Sequence, residues 1–433
     1  MLVTRRQFIK SGVTLLPAIT FLPGLFRRGV IAPPQPAAVS PTGRILVVVQ
    51  QAGGNDGLNT VIPYSDGRYY DLRPNIAIPQ QEVLTINNEV GFHPNLPKFK
   101  AIWDAGKMAI VEGVGYPNPS YSHFQSMDIW RFADPEGKSV KQGWLGKYLE
   151  MLGSGNTFGG IAVGGMGGRL PPELYSPRVA VPIVESVQLY QFQSDSRYPA
   201  AAAARKEALV SMYSLQKNAA YRDLLNGTFD AANASSAAIV QADKFYNPSV
   251  VYPDTSLGRG LKIIAEAIIG DLGVKIGHVT IGGWDTHASQ KPDHVRLLRT
   301  MSEAIAAFYE DLKAHGKDEN VVIMTWSEFG RRAKSNASDG TDHGTAVPIF
   351  FIGTPVKGGF YGERPNLGNL SSDNLRYTID FRSVYATVLE RWFDAPSNDI
   401  LGGQFETLPV FNTAAAGRLP GRERQEAGYA LLG

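Results

Sequence analysis

From residue 44 onward, apolar and polar positions follow a repeating rhythm of strand, loop and helix. Residues 45–49 form a continuous apolar run with Val47, Val48 and Val49 in succession, which suits a parallel strand covered on both faces. It ends in the turn-forming string Gly53-Gly54-Asn55-Asp56-Gly57. A second apolar run at 108–114 follows a helical stretch introduced by Pro94-Asn95-Leu96, and 277–282 reads as a strand. Residues 293–315 read as a helix, with Leu297, Met301, Ile305, Phe308 and Leu312 on one face. Strands follow at 321–326 and 347–352, and Phe381, Val384, Tyr385, Val388, Leu389 and Trp392 mark one face of a last helix. The pattern predicts an α/β fold: a doubly wound, mostly parallel sheet with helices on both faces. The Ala-rich stretch at about 190–255 predicts a helical insertion, and 41–433 is expected to be one domain.

The first forty residues have a different texture. Thr4-Arg5-Arg6-Gln7-Phe8-Ile9-Lys10 precedes an uncharged stretch at 11–26, and no acidic residue occurs before Asp56. A basic segment followed by an apolar one is the pattern of an export signal. The apolar stretch, broken by Pro17 and Pro23, is shorter than the roughly 20 residues a spanning helix needs. TRRQFIK resembles the twin-arginine signal. Residues 1–40 are therefore expected to be a signal and a Pro-rich linker, cut after Ala32, Ala37 or Ala38 or kept as a tether.

Charge changes the picture once this segment is set aside. The chain has 42 basic and 40 acidic side chains, but residues 1–40 hold five basic and no acidic ones, leaving 37 against 40. Nothing in that balance calls for a nucleic-acid partner. The absence of Cys excludes disulfides, thiolate nucleophiles and Cys-ligated metals, so chemistry must use oxygen and nitrogen side chains.

In such sheets, ligands sit outside the carboxyl ends of the strands. Behind successive strands stand Asp56, then Ser120-Tyr121-Ser122-His123, then Trp284-Asp285-Thr286-His287, then Ser327-Glu328-Phe329-Gly330-Arg331, and Asp342-His343 lies just before the strand at 347–352. Converging carboxylates repel unless paired, and a divalent cation relieves them; mixed Asp, Glu and His donors suit zinc, manganese or iron. Ser122 is then the natural nucleophile, since a metal eases loss of its proton. Each segment also has a plain reading. Asp56 could be a turn residue, Ser122 an N-cap for a helix at 124–130, and Glu328 a partner of Arg331 or Arg332. His93 reads as a loop residue, and His278, His294 and His315 as structural or solvated.

The stretches VVVQQAGGNDGLNTVIPY, SYSHFQSMDIW, IGGWDTHASQ, VIMTWSEFGRR and GTDHGTAVPIFFIG resemble a bacterial domain family of unknown function. That family is typically exported by the twin-arginine route and grouped with the alkaline phosphatase and sulfatase superfamily. The resemblance spans about residues 44–393 and implies the alkaline phosphatase-like fold. It implies Asp56 as ligand of one metal, Ser122 as bridging nucleophile, and Asp285, His287 and His343 as ligands of the second. Where the superfamily has an Asp-His pair, Glu328 and Phe329 stand, so the first metal lacks ligands unless His123 or water completes it. Ser122 lies outside the C/S-x-P-x-R context of formylglycine sulfatases.

Together these point to an exported metal-dependent hydrolase of phosphate or related esters. Ser122 would attack, Asp285, His287 and His343 would hold a metal, and Asp56 and Glu328 would hold a second cation if one exists. Arg331 or Arg332 would grip ester oxygens. One or two divalent ions, zinc or manganese foremost, are the expected cofactors. The expected partners are the twin-arginine translocase and a small ester or an envelope polymer, with no membrane contact unless the signal is uncleaved. The expected location is periplasmic or extracellular. The alternative is a non-catalytic cell-envelope binding protein that keeps the fold.

Overall fold

In the computed structural model, residues 43–412 are described, except 138–141, 154–157, 165–168, 188–189 and nearly all of 191–221. The signal and linker expected at 1–40 lie outside the described residues, as does part of the expected insertion. The described part of that insertion includes the helix Arg222–Phe245.

The apolar runs become a nine-stranded mixed sheet. Its strands are β1 (Ile45–Ala52), β2 (Met108–Gly115), β3 (Gly160–Val163), β4 (Ile183–Val184), β5 (Ile276–Gly282), β6 (Val321–Trp326), β7 (Val347–Ile352), β8 (Gly359–Tyr361) and β9 (Ile379–Asp380). The order is β8-β2-β7-β6-β1-β5-β3-β4, with β9 also beside β2. Within it β7 alone runs antiparallel to its neighbours β2 and β6, and every other pairing is parallel. The predicted α/β architecture is therefore present, with β7 as the one reversal.

Both sheet faces are covered, as the unbroken apolar run of β1 requires. Val47 and Val49 pack into one core, with Phe99 and Ile102 of α1 (Pro97–Asp104), Leu261 and Ile264 of α5 (Ser256–Ile269), and Leu297, Met301, Ile305 and Phe308 of α6 (Gln290–Ala314). Leu46 and Val48 pack into the other. There they meet Trp130 of α2 (His123–Phe132), Trp144 and Tyr148 of α3 (Trp144–Met151), and Phe381 and Tyr385 of α7 (Phe381–Thr387). The helix Arg222–Phe245 is α4. Burying each such side chain contributes about 2 kcal/mol, so a charge at Val48 would forfeit that and add an unpaired buried ion. The expected last helix begins as α7 and ends in a π-helical turn, Val388–Trp392. Among the described residues no helix is long and apolar enough to cross a membrane.

This topology gathers the carboxyl ends of β1, β2, β5 and β6 along one edge of the sheet. Because β7 is reversed, the segment preceding it arrives at that same edge, and the two-stranded ladder of Arg331–Ser335 with Thr341–His343 folds over it.

Candidate metal centre

The centre assembles from three loops and one helix terminus. Ser122 occupies the N-cap position of α2 with extended backbone (φ −87°, ψ 123°), and His123 opens the helix. The helix is pinned by buried Ser126, whose Oγ donates to the Glu328 carbonyl at 2.5 Å and lies 2.8 Å from the Tyr116 hydroxyl. Asp285 and His287 follow β5. Their approach to the β1 loop requires Gly53 (φ 127°), because a Cβ there would lie 2.4 Å from the Asp285 nitrogen. His343 comes from the strand paired with Arg331.

Asp285 is the hub. Its Oδ1 lies 3.0 Å from both His287 Nε2 and His343 Nε2, and its Oδ2 lies 3.2 Å from His123 Nε2. The two Nε2 atoms of His287 and His343 are 2.9 Å apart. The other nitrogen of each ring faces an acceptor. His123 Nδ1 meets Glu328 Oε1 at 2.8 Å, His343 Nδ1 meets the Tyr121 carbonyl at 2.7 Å, and His287 Nδ1 faces Asp342 Oδ1 at 3.5 Å. With a cation among the Nε2 atoms, the acceptors at Nδ1 would hold the ring protons there and free the Nε2 lone pairs for it.

Two imidazole lone pairs and a carboxylate oxygen crowded within 3.0 Å of one another repel unless a proton or a cation lies among them. His123, Asp285 and His343 each offer a donor atom within a common span of 4.8 Å, and among the described residues such donors gather in this one cluster. His287 joins from the side of His343. Imidazole nitrogens with one carboxylate form a donor set that fits zinc, manganese or iron.

The electrostatics follow from these contacts. Burial opposes ionisation of Asp285, but the hydrogen bonds from Arg331 and His343 outweigh it and hold the carboxyl well below the usual range. The hydrogen bond to Glu328 raises the pKa of His123. Burial lowers that of His343. Asp342 is lowered by the hydrogen bond that Asn336 donates, and so stays anionic behind His287.

Of the residues expected at the site, Asp285, His287 and His343 come together here. Glu328 stands behind His123: it is fully buried, and Oε1 also accepts from the Gly53 N–H at 2.9 Å. Asp56 stands apart, because its Oδ2 accepts from Arg73 at 2.6 Å and Gln290 at 2.5 Å. Burial opposes the Asp56 charge, yet Arg73 keeps its pKa low. Arg331 is buried and donates to the carbonyls of Gly53, Gly54, Trp284 and Thr341 as well as to Asp285 at 2.8 Å, so its guanidinium holds the loops together. Ser122 is exposed and makes no side-chain cap bond, unlike the plain N-cap reading. Phe329 is a buried wall, with its ring 4.9 Å from His123 and 4.5 Å from His343.

From sequence His123 enters only as a supplementary ligand, although it stands beside Ser122, and Asp342 only beside His343. The plain reading of His278 and His294 as structural agrees with their burial, His278 against Glu173 and His294 against Asn55.

Residues 110–394 match a family model described as "Protein of unknown function (DUF1501)". Among curated proteins none matches the chain. Similar solved structures include the PsFucS1 sulfatase from Pseudoalteromonas sp., at 14% identity over 87% of this chain and 74% of that one, with a TM-score of 0.37. A protein in the alkaline phosphatase superfamily from Vibrio parahaemolyticus is similar at 9% identity over 84% and 73%, with a TM-score of 0.34. The C-terminal periplasmic domain of EcEptC from Escherichia coli, in complex with Zn, is similar at 9% identity over 74% and 76%, with a TM-score of 0.34.

Proposed function

The chain belongs to the family described as "Protein of unknown function (DUF1501)", and on that premise we propose that it is an exported, metal-dependent hydrolase of phosphate or related esters. The observation that carries the proposal is the set of three imidazoles, each with Nδ1 facing an acceptor and Nε2 turned toward one carboxylate, Asp285. Such outer partners orient ligating histidines and raise their basicity. His123, Asp285, His287 and His343 would hold the cation, with Glu328, Asp342 and the Tyr121 carbonyl behind them. When bound, the cation supplies Lewis acidity and positive charge at the ester oxygens.

The chain's own groups perform the rest. Ser122, exposed at the N-terminus of α2 and making no side-chain cap bond, would attack, and the positive end of the helix would stabilise charge that develops on its oxygen. Its Oγ forms a bond to phosphorus or sulfur as the bond to the leaving alcohol breaks, and the serine proton ends on that alcohol through solvent. Water then cleaves the seryl ester. Arg331 holds Asp285 in place. Phe329 excludes water from one side, which strengthens the electrostatic interactions beside it. The basic TRRQFIK string supports export by the twin-arginine translocase to the periplasm or beyond.

The test is metal analysis of the purified protein followed by a screen of chromogenic phosphate monoesters, diesters and sulfate esters. Asp285→Ala should lose both metal and turnover; full activity in that variant sinks the assignment. Metal held without turnover of any ester favours the non-catalytic envelope binding protein.

A further inference from the structure

Asp56 and Glu328, the carboxylates expected to hold a second cation, each have one oxygen already engaged, and any cation at Asp56 would face the Arg73 guanidinium. Asp56 is fully buried, and the Arg73 guanidinium against its Oδ2 also donates to the carbonyls of Ala333 and Arg332 and to Asn59 Oδ1. Arg73 therefore cannot swing away without abandoning three further acceptors. Glu328 is occupied by His123 Nδ1 and the Gly53 N–H. Phe329, the residue after Glu328, contributes hydrocarbon where another ligand would be needed. Among the described residues one cluster alone brings three donor side chains together.

Arg331 meanwhile puts a fixed positive charge on Asp285 Oδ1 at 2.8 Å, on the oxygen that His287 and His343 also face. Buried and tied to four backbone carbonyls, it is as immobile as a bound ion.

Resting on the hydrolase reading above, we infer that the centre holds a single divalent cation, with the Arg331 guanidinium as its second positive charge. We further infer that it takes singly charged esters, phosphodiesters or sulfate monoesters, in preference to phosphate monoester dianions. The substrate class follows from charge. Asp285 and Arg331 cancel, as do Asp56 and Arg73, and Asp342 and Arg332, so a dication facing neutral imidazoles, with Glu328 behind, leaves one net positive charge. A monoanionic ester neutralises it. A dianion leaves one negative charge uncompensated beside the Phe329 wall, where desolvation makes this costly.

The full chain, loaded with zinc or manganese and dialysed, should retain one equivalent of metal by elemental analysis. Bis(4-nitrophenyl) phosphate or 4-nitrophenyl sulfate should be turned over with a kcat/KM at least tenfold above that for 4-nitrophenyl phosphate at pH 8, and the ratio between the first two assigns the ester. Calorimetry with dimethyl phosphate and methyl sulfate against methyl phosphate should give the same tenfold ordering of affinity. Two equivalents of metal, or a preference for the dianion in either measurement, overturns this inference and leaves the hydrolase reading standing. One equivalent with the expected ordering of affinity, but no turnover of any ester, supports the inference about charge and removes the hydrolase. No retained metal removes both.

Discussion

Glu328 and His123 meet at 2.8 Å across 205 residues of chain, and the Oε1 that faces the imidazole also accepts from the Gly53 N–H. Glu328 is fully buried while His123 is 26% exposed, so the pair has one face to the core and one to the site.

Glu328→Gln should therefore act through His123. The amide keeps the shape and can still accept from Gly53, but it removes the charge that raises the imidazole pKa. Metal affinity should fall by about 10- to 100-fold. In the metal-free protein the pair's contribution to stability is fully present below the unfolded-state imidazole value of 6.5 and is lost as pH rises through the raised folded value. The difference in melting temperature between the wild type and the variant should thus be largest in mild acid and vanish in mild base. A difference that grows with pH would refute the assignment.

Gly53→Ala tests the packing of the loops. The position has φ of 127°, and a Cβ would meet the Asp285 nitrogen at 2.4 Å, against backbone that cannot rotate aside. A loss of about 3 kcal/mol in urea unfolding is expected, with weaker metal binding because Asp285 is displaced. Unchanged stability and metal content would show that the loops separate freely.

Arg73→Met isolates the buried ion pair. Removing the cation strands the Asp56 carboxylate, at a cost of about 3–5 kcal/mol, while adding Asp56→Asn should restore part of it. Because burial is outweighed by Arg73 and the Asp56 pKa is lowered, the wild-type pair stabilises above the unfolded-state value of 3.8 and loses that contribution as pH falls through the folded value. The double variant should retain its metal on elemental analysis. Loss of metal there would return Asp56 to the ligand set.

Much of this was legible from residues, and the gaps have physical causes. A run such as 45–49, with three successive valines, suits a strand covered on both sides, and β1 has that burial. The direction of β7 was not legible, because Val347–Ile352 reads as an apolar strand whichever way it runs. The short strands β3 and β4 carry too few residues for a period to show. At the site, residue type and placement beside a strand end bring forward Asp285, His287 and His343, and the fold gathers these three together. Type and placement do not separate a ligating carboxylate from a supporting one. That distinction for Glu328 and Asp56 depends on His123 and Arg73, partners brought in by the tertiary fold.

Ser122→Ala separates the two readings of the serine. An N-cap serine that bonds the first turn contributes about 1 kcal/mol, and its loss shows in unfolding whether or not the protein is an enzyme. Here the hydroxyl makes no such bond, and α2 is held by Ser126 at the Glu328 carbonyl and by Trp130 in the core. The variant should therefore unfold within about 0.5 kcal/mol of the wild type. It should also keep its metal, because the four donor side chains lie elsewhere. Ester turnover should fall by at least a thousandfold, since water without the serine lacks a positioned attacking oxygen. Retained turnover with intact metal would remove Ser122 as nucleophile. Lost stability with unchanged turnover would restore it to the role of a cap.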